Sequence, residues 1–197
     1  AIAAYSQAIS LDPQYVDAYC NRGNAYKNSG DYDKAVADYT QVITLEPQNR
    51  DVWRNRGDAY AEKGDYDKAI ADYTQIIAWE PRDAEAHNNR GIAYIYKGDY
   101  DTAISDYTRA IALQPQYATA YYNRGIAYKN KGDCDKAIAD YSQSIALSPR
   151  NASAYNNRAN AYVIKGDYEK AITDYNQATA LDPDYAAAYY NRALACE

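Results

Sequence analysis

The sequence predicts an all-α solenoid of antiparallel helix pairs, and three observations predict it. The first is a period. The string NRGNAYKNSGDYDKAVADYTQVI at Asn21 returns as NRGDAYAEKGDYDKAIADYTQII at Asn55, 34 residues later, with further copies at Asn89, Asn123 and Asn157 and a truncated NRALACE at Asn191. Repetition at a fixed period of this length governs any further reading. The second is punctuation. With the Asn set as position 6 of the unit, all six prolines (Pro13, Pro47, Pro81, Pro115, Pro149, Pro183) fall at position 32, and all nine glycines fall at position 8 or 15. The third is spacing: small and aromatic residues at 4, 8 and 11, and again at 20, 24 and 27, keep helical periodicity.

The elements follow in order. Residues 1–15 match positions 20–34 and read as the second helix of a partial repeat. Full repeats are predicted at 16–49, 50–83, 84–117, 118–151 and 152–185, and residues 186–197 match positions 1–12, the first helix of another partial repeat. The whole chain, 1–197, thus reads as one array. Within each repeat, Gly at 15 suits the left-handed turn after a helix end. Asp at 16 (Asp31, Asp65, Asp99, Asp133, Asp167) suits the N-cap of the second helix. Pro at 32 closes that helix. Gly or Ala at 8 and Ala at 20 let the two helices approach closely, and Tyr at 11 and 24 fills the space beside them.

The repeat explains an unusual composition. The chain has 25 Tyr with no Phe and no Met, and 19 of the Tyr occupy positions 4, 11, 17 and 24. The missing Met at residue 1 reads as the boundary of an excised fragment. A net charge of −6 argues against a general nucleic-acid binder or a basic membrane-surface module. No run of about 18 apolar residues is present to span a bilayer, and no signal peptide is visible. Cys20, Cys134 and Cys196 occupy ordinary repeat slots without C-x-x-C spacing, which suits reduced thiols in a cytoplasmic setting. His87 stands where other repeats carry Tyr or Trp and reads as a packing residue. With no triad, metal set or phosphate loop, the reading assigns no catalytic residue, no metal and no cofactor, and the chain is not expected to be an enzyme.

A 34-residue helix–turn–helix with an aromatic residue at 4, Gly or Ala at 8, Tyr at 11, Ala at 20, an aromatic residue at 24 and Pro at 32 resembles the tetratricopeptide repeat (TPR), as a prokaryotic-type array. The departures are Arg at position 7 throughout, His87 at position 4 and Cys134 at position 17. The resemblance implies a right-handed superhelix whose first helices line a concave groove, and a scaffold that binds a protein or peptide partner.

Candidate functional residues follow from the positions facing that groove. Position 6 lies about 200° around the helix from positions 4 and 8, so it points away from the buried stripe. It is Asn in every copy: Asn21, Asn55, Asn89, Asn123, Asn157 and Asn191. A primary amide carries donor and acceptor together and can pair with peptide backbone. This column resembles the Asn ladder of O-linked N-acetylglucosamine transferase. The alternative is that each Asn bonds to its neighbours and stabilises stacking. Arg54, Asp58, Ile92, Tyr96, Tyr122 and Ile126 are further candidates on the same wall. Acidic positions at 17, 51, 58, 62 and 85 give way to apolar ones from Ile92 onward, which would suit an extended segment with a basic stretch and large apolar side chains. The carboxylate clamp of co-chaperone repeats lacks its charges, because only Arg54 is basic at position 5 and no basic residue stands at position 2.

The Arg column at position 7 borders the buried face, as does the Asp column at position 23 (Asp38, Asp72, Asp106, Asp140, Asp174). An Arg–Asp pair, within or between adjacent repeats, accounts for both. Ala1, Ile2, Tyr5 and Ala8 at one end, and Ala188, Tyr189, Ala193 and Cys196 at the other, are expected to be partly exposed apolar surface, since stacked arrays need capped ends. Head-to-tail self-association of chains is expected from them. The competing readings for the whole are a structural spacer and the substrate-recognition arm of a larger enzyme.

Overall fold

A computed structural model describes residues 1–196. Among these residues the chain forms twelve α-helices and no strand. Helix packing groups them into two compact units, residues 1–97 and 98–197. The first contains α1 (Ile2–Leu11), α2 (Val16–Asn28), α3 (Tyr32–Leu45), α4 (Arg50–Lys63), α5 (Tyr66–Trp79) and α6 (Ala84–Tyr96). The second contains α7 (Tyr100–Leu113), α8 (Ala118–Asn130), α9 (Cys134–Leu147), α10 (Ala152–Ile164), α11 (Tyr168–Leu181) and α12 (Ala186–Ala195). In each unit every helix packs on the next in sequence, and first helices also touch first helices, as α2 does α4 and α10 does α12.

The punctuation works as local chemistry requires. Gly64 closes α4 at φ +87°, and the other four glycines at this position also take positive φ, which an L side chain rarely adopts. The carboxylates of Asp31, Asp99, Asp133 and Asp167 accept from the backbone N–H three residues on. Asp65 departs from the pattern: its carboxylate makes no cap bond, although it holds Lys68 Nζ at 2.6 Å much as Asp31, Asp133 and Asp167 hold Lys34, Lys136 and Lys170. The second helices stop two residues before Pro, at Leu45, Trp79, Leu113, Leu147 and Leu181. The ring of a proline disfavours helical backbone in the residue before it, and Asp182, before Pro183, accordingly sits extended at φ −134° and ψ 94°.

The core is a column of phenol rings against backbone. Tyr39, Tyr73, Tyr107, Tyr141 and Tyr175 are at most 2% exposed. Each ring that faces a glycine lies so close that a Cβ on Gly23, Gly57 or Gly125 would stand 2.7–2.9 Å from a ring carbon. His87 is buried, with Nε2 3.3 Å from the Pro81 carbonyl oxygen.

The Arg and Asp columns meet within one repeat. Arg56 Nε and Nη2 each lie 2.8 Å from one of the two carboxylate oxygens of Asp72, and Arg22–Asp38, Arg124–Asp140 and Arg158–Asp174 repeat this fork. The remaining nitrogen reaches back to the preceding repeat: Arg56 Nη1 donates to Thr40 Oγ1 at 3.1 Å, Arg90 Nη1 to Thr74 and Arg158 Nη1 to Ser142. A second tie joins the turns of consecutive repeats, with Lys63 on Asp33, Lys97 on Asp67, Lys131 on Asp101 and Lys165 on Asp135.

At the ends the expectation needs one correction. Ala1, Tyr189, Ala193 and Cys196 are exposed and Ile2, Tyr5 and Ala8 half-buried, but Ala188 is fully buried. It occupies position 3, which is buried in every first helix, from Ala18 to Ala154; in α12 that face lies toward the preceding helix α11.

Candidate peptide-binding groove

Within residues 1–97, first helices α2, α4 and α6 frame a cleft of about 410 Å³. It is lined by Lys27, Asn28, Tyr32, Asp58, Ala61, Glu62, Tyr73, Asn89 and Ile92. Three of the sequence candidates, Asp58, Asn89 and Ile92, are brought together here. Tyr73 Oη reaches the cleft from the core and donates to Asp58 Oδ1 at 2.7 Å. Lys27 Nζ stands 4.0 Å from the other Asp58 oxygen. Asn89 Oδ1 accepts from Asn88 Nδ2 at 3.1 Å. The sequence reading missed Lys27, Tyr32 and Tyr73. Tyr32 stands at position 17, one of the four recurring Tyr slots, and its ring forms cleft wall.

Other candidates lie elsewhere. Asn21 is exposed and Asn55 half-buried, and neither lines the cleft. Arg54 is committed to the start of α6, with Nη2 2.6 Å from Oδ2 of its N-cap Asp83 and Nη1 3.1 Å from Glu85 Oε2. Burial alone would raise the Asp83 carboxyl, but the Ala86 N–H and the Arg54 guanidinium together outweigh it and hold it below the usual carboxylate value. Tyr96 is 66% exposed and stacks on Tyr66 with centroids 4.9 Å apart and planes 2° from parallel.

Within residues 98–197 the Asn column bonds sideways. Asn157 Nδ2 donates to Tyr122 Oη at 2.8 Å, and Asn191 Nδ2 to Asn156 Oδ1 at 3.3 Å. In both cases position 6 meets position 5 of the preceding repeat, so these two amides also serve the stack. Ile126 is half-buried at position 9 of α8. That choice matters to Tyr141. Tyr39 and Tyr175 donate to Asn24 and Asn160 at position 9, at 2.7 and 2.6 Å. Ile126 offers no acceptor, and the buried Tyr141 hydroxyl has no partner. Burial raises the phenol of Tyr175 to about 12 and raises that of Tyr141 further. Among the described residues no cluster of His, Cys, Asp or Glu could hold a metal ion, and no helix is long and apolar enough to cross a membrane.

The repeat, the hairpins and the groove define a helical-repeat interaction protein. Comparison with known families makes the class specific. The family profile described as TPR repeat matches residues 1–30, 93–132, 128–163 and 159–197. Profiles described as tetratricopeptide repeat match 20–87 and 72–105. The chain belongs to the tetratricopeptide repeat family, whose fold serves protein–protein interaction and which is generally non-enzymatic. No curated protein matches it. Among solved structures it is similar to MamA, at 30% identity over 83% of this chain and 96% of that one, with a TM-score of 0.75. It shares its fold with YrrB, described as a TPR protein with an unusual peptide-binding site, at 21% identity over 98% and 100% of the two chains and a TM-score of 0.72. A thermophilic TPR protein of Thermus thermophilus is likewise similar in fold, at 22% identity over 92% and 98% and a TM-score of 0.72.

Proposed function

We propose that this chain is a non-enzymatic scaffold that binds an extended peptide segment of a partner protein along the face of its first helices. The cleft lined by Asp58, Glu62, Asn89 and Ile92 carries the reading, because it offers carboxylates, an amide and an apolar surface to one ligand. Asp17, Asp51 and Glu62 are exposed on the same helices, so a basic stretch fits the residues 1–97 unit. Tyr122, Ile126 and Val163 are half-buried and Tyr190 exposed on the first helices of the other unit, which suits large apolar side chains. YrrB, with its peptide-binding site, supports the reading by analogy of fold. The proposed setting is the cytoplasm, where Cys20, Cys134 and Cys196 remain free thiols.

Isothermal titration against matched basic and acidic dodecapeptides tests this reading. Basic peptides are expected to bind more tightly, and Asn89→Ala combined with Asn123→Ala to weaken them without lowering the melting temperature. Equal affinity for acidic peptides sinks the charge assignment. A lowered melting temperature with unchanged affinity makes the Asn column a stacking device. A second reading, a self-assembling spacer, draws on the exposed Tyr189 and Leu194 of α12, at 42% and 53%. Light scattering that finds only monomer at high concentration counts against it. A recognition arm of a larger enzyme is the remaining alternative, and the full-length gene decides it.

A further inference from the structure

The Tyr141 hydroxyl is the observation the scaffold reading does not absorb. Its residue is 0% exposed and its oxygen has no protein partner. A buried donor left unpaired is costly, and two equivalent tyrosines, Tyr39 and Tyr175, avoid that cost with an Asn at position 9. Here the position is Ile126. Beside the orphan lies Tyr122, a groove residue, with ring centroids 5.9 Å apart and planes tilted by 52°. The Tyr122 hydroxyl is in turn the acceptor that occupies Asn157 Nδ2.

We propose that Tyr141 Oη and Asn157 Nδ2 form a two-donor subsite for a main-chain carbonyl oxygen of an extended peptide, closed in the unbound chain by the Tyr122 side chain. The inference rests on the groove reading and adds which atoms meet the peptide. Turning Tyr122 toward the groove releases the Asn157 amide and uncovers the Tyr141 hydroxyl in one movement. The Tyr141 O–H and the Asn157 Nδ2–H can both donate, and a carbonyl oxygen with two lone pairs accepts from two donors. Ile126 keeps the wall apolar and leaves Tyr141 no internal acceptor. The competing occupant of the Tyr141 hydroxyl is a trapped water, which buried polar groups commonly hold.

The probe is the tightest binder selected on the full chain from a random dodecapeptide phage library, synthesised and measured by calorimetry. Tyr141→Phe is expected to weaken it about tenfold, the worth of one hydrogen bond to an otherwise unpaired donor, with no loss of melting temperature. Ile126→Asn supplies the partner that Asn24 gives Tyr39, and is expected to raise the melting temperature while weakening the peptide. Unchanged affinity in Tyr141→Phe overturns the subsite and assigns the hydroxyl to water, while the groove reading stands. A selection that returns no binder overturns both.

Discussion

The guanidinium of Arg56 shows how much one side chain holds together. It forks onto Asp72, whose side chain is 4% exposed, donates to Thr40 of the repeat before, and lies 4.8 Å over the Trp53 ring. Removing one member of such a pair strands the other, so Arg56→Ala is expected to cost about 3–5 kcal/mol in urea denaturation, whereas Arg56→Met with Asp72→Leu costs far less. A double-mutant cycle measures the difference, and equal losses in the two proteins would refute the coupling. The columns that make this pair were legible in the sequence, because helical angles place positions 7 and 23 at the edge of the buried face. That both partners belong to one repeat, and that a hydroxyl at position 25 completes the set, was not legible. Angles around a helix say which way a residue faces, but not how far the neighbouring helix has slid along it.

At the scale of elements, the punctuation residues were the most readable feature, since Gly, Asp and Pro act through their own backbone and nearest neighbours. The exception is Asp65, which pairs with Lys68 but makes no cap bond. Carboxylates at these helix starts respond to acid. The Lys34, Lys68, Lys136 and Lys170 ammonium groups hold Asp31, Asp65, Asp133 and Asp167 below the ordinary carboxylate value, and Asp83 is held low as well. A carboxylate that binds its proton more weakly folded than unfolded stabilises above its unfolded value of 3.8 and loses that contribution as pH falls through its lower folded value. Asp72 runs the opposite way, because burial raises it against Arg56, so its protonation opposes that loss. The melting temperature is therefore expected to stay level from about pH 7 to about pH 5 and to drop below about pH 4. Circular-dichroism melts across that range check it, and a loss of stability already between pH 7 and pH 5 would contradict the assignment.

At the scale of the whole molecule, the fold was plain from the period alone, while the candidate site was only half legible. Asp58, Asn89 and Ile92 were found from the outward-facing stripe, whereas Tyr32 and Tyr73 enter the cleft from the recurring Tyr slots and Lys27 from position 12, which varies between repeats. Arg54 looked available and is held by Asp83, a residue 29 positions on. The ties between repeats have a consequence for how such a protein changes length. Arg90 takes its hydroxyl from Thr74, and Lys97 its carboxylate from Asp67. If residues 50–83 were deleted, Asn49 would join Ala84 within an existing loop, and Thr40 and Asp33 would stand at the same spacings with the same chemistry. The shortened chain is expected to fold with unchanged helicity per residue and a lower melting temperature, as circular dichroism would show; collapse of the helical signal would say otherwise. A gene of this kind can thus lose 34 codons in one recombination event and still encode a protein in which every remaining repeat finds a familiar neighbour.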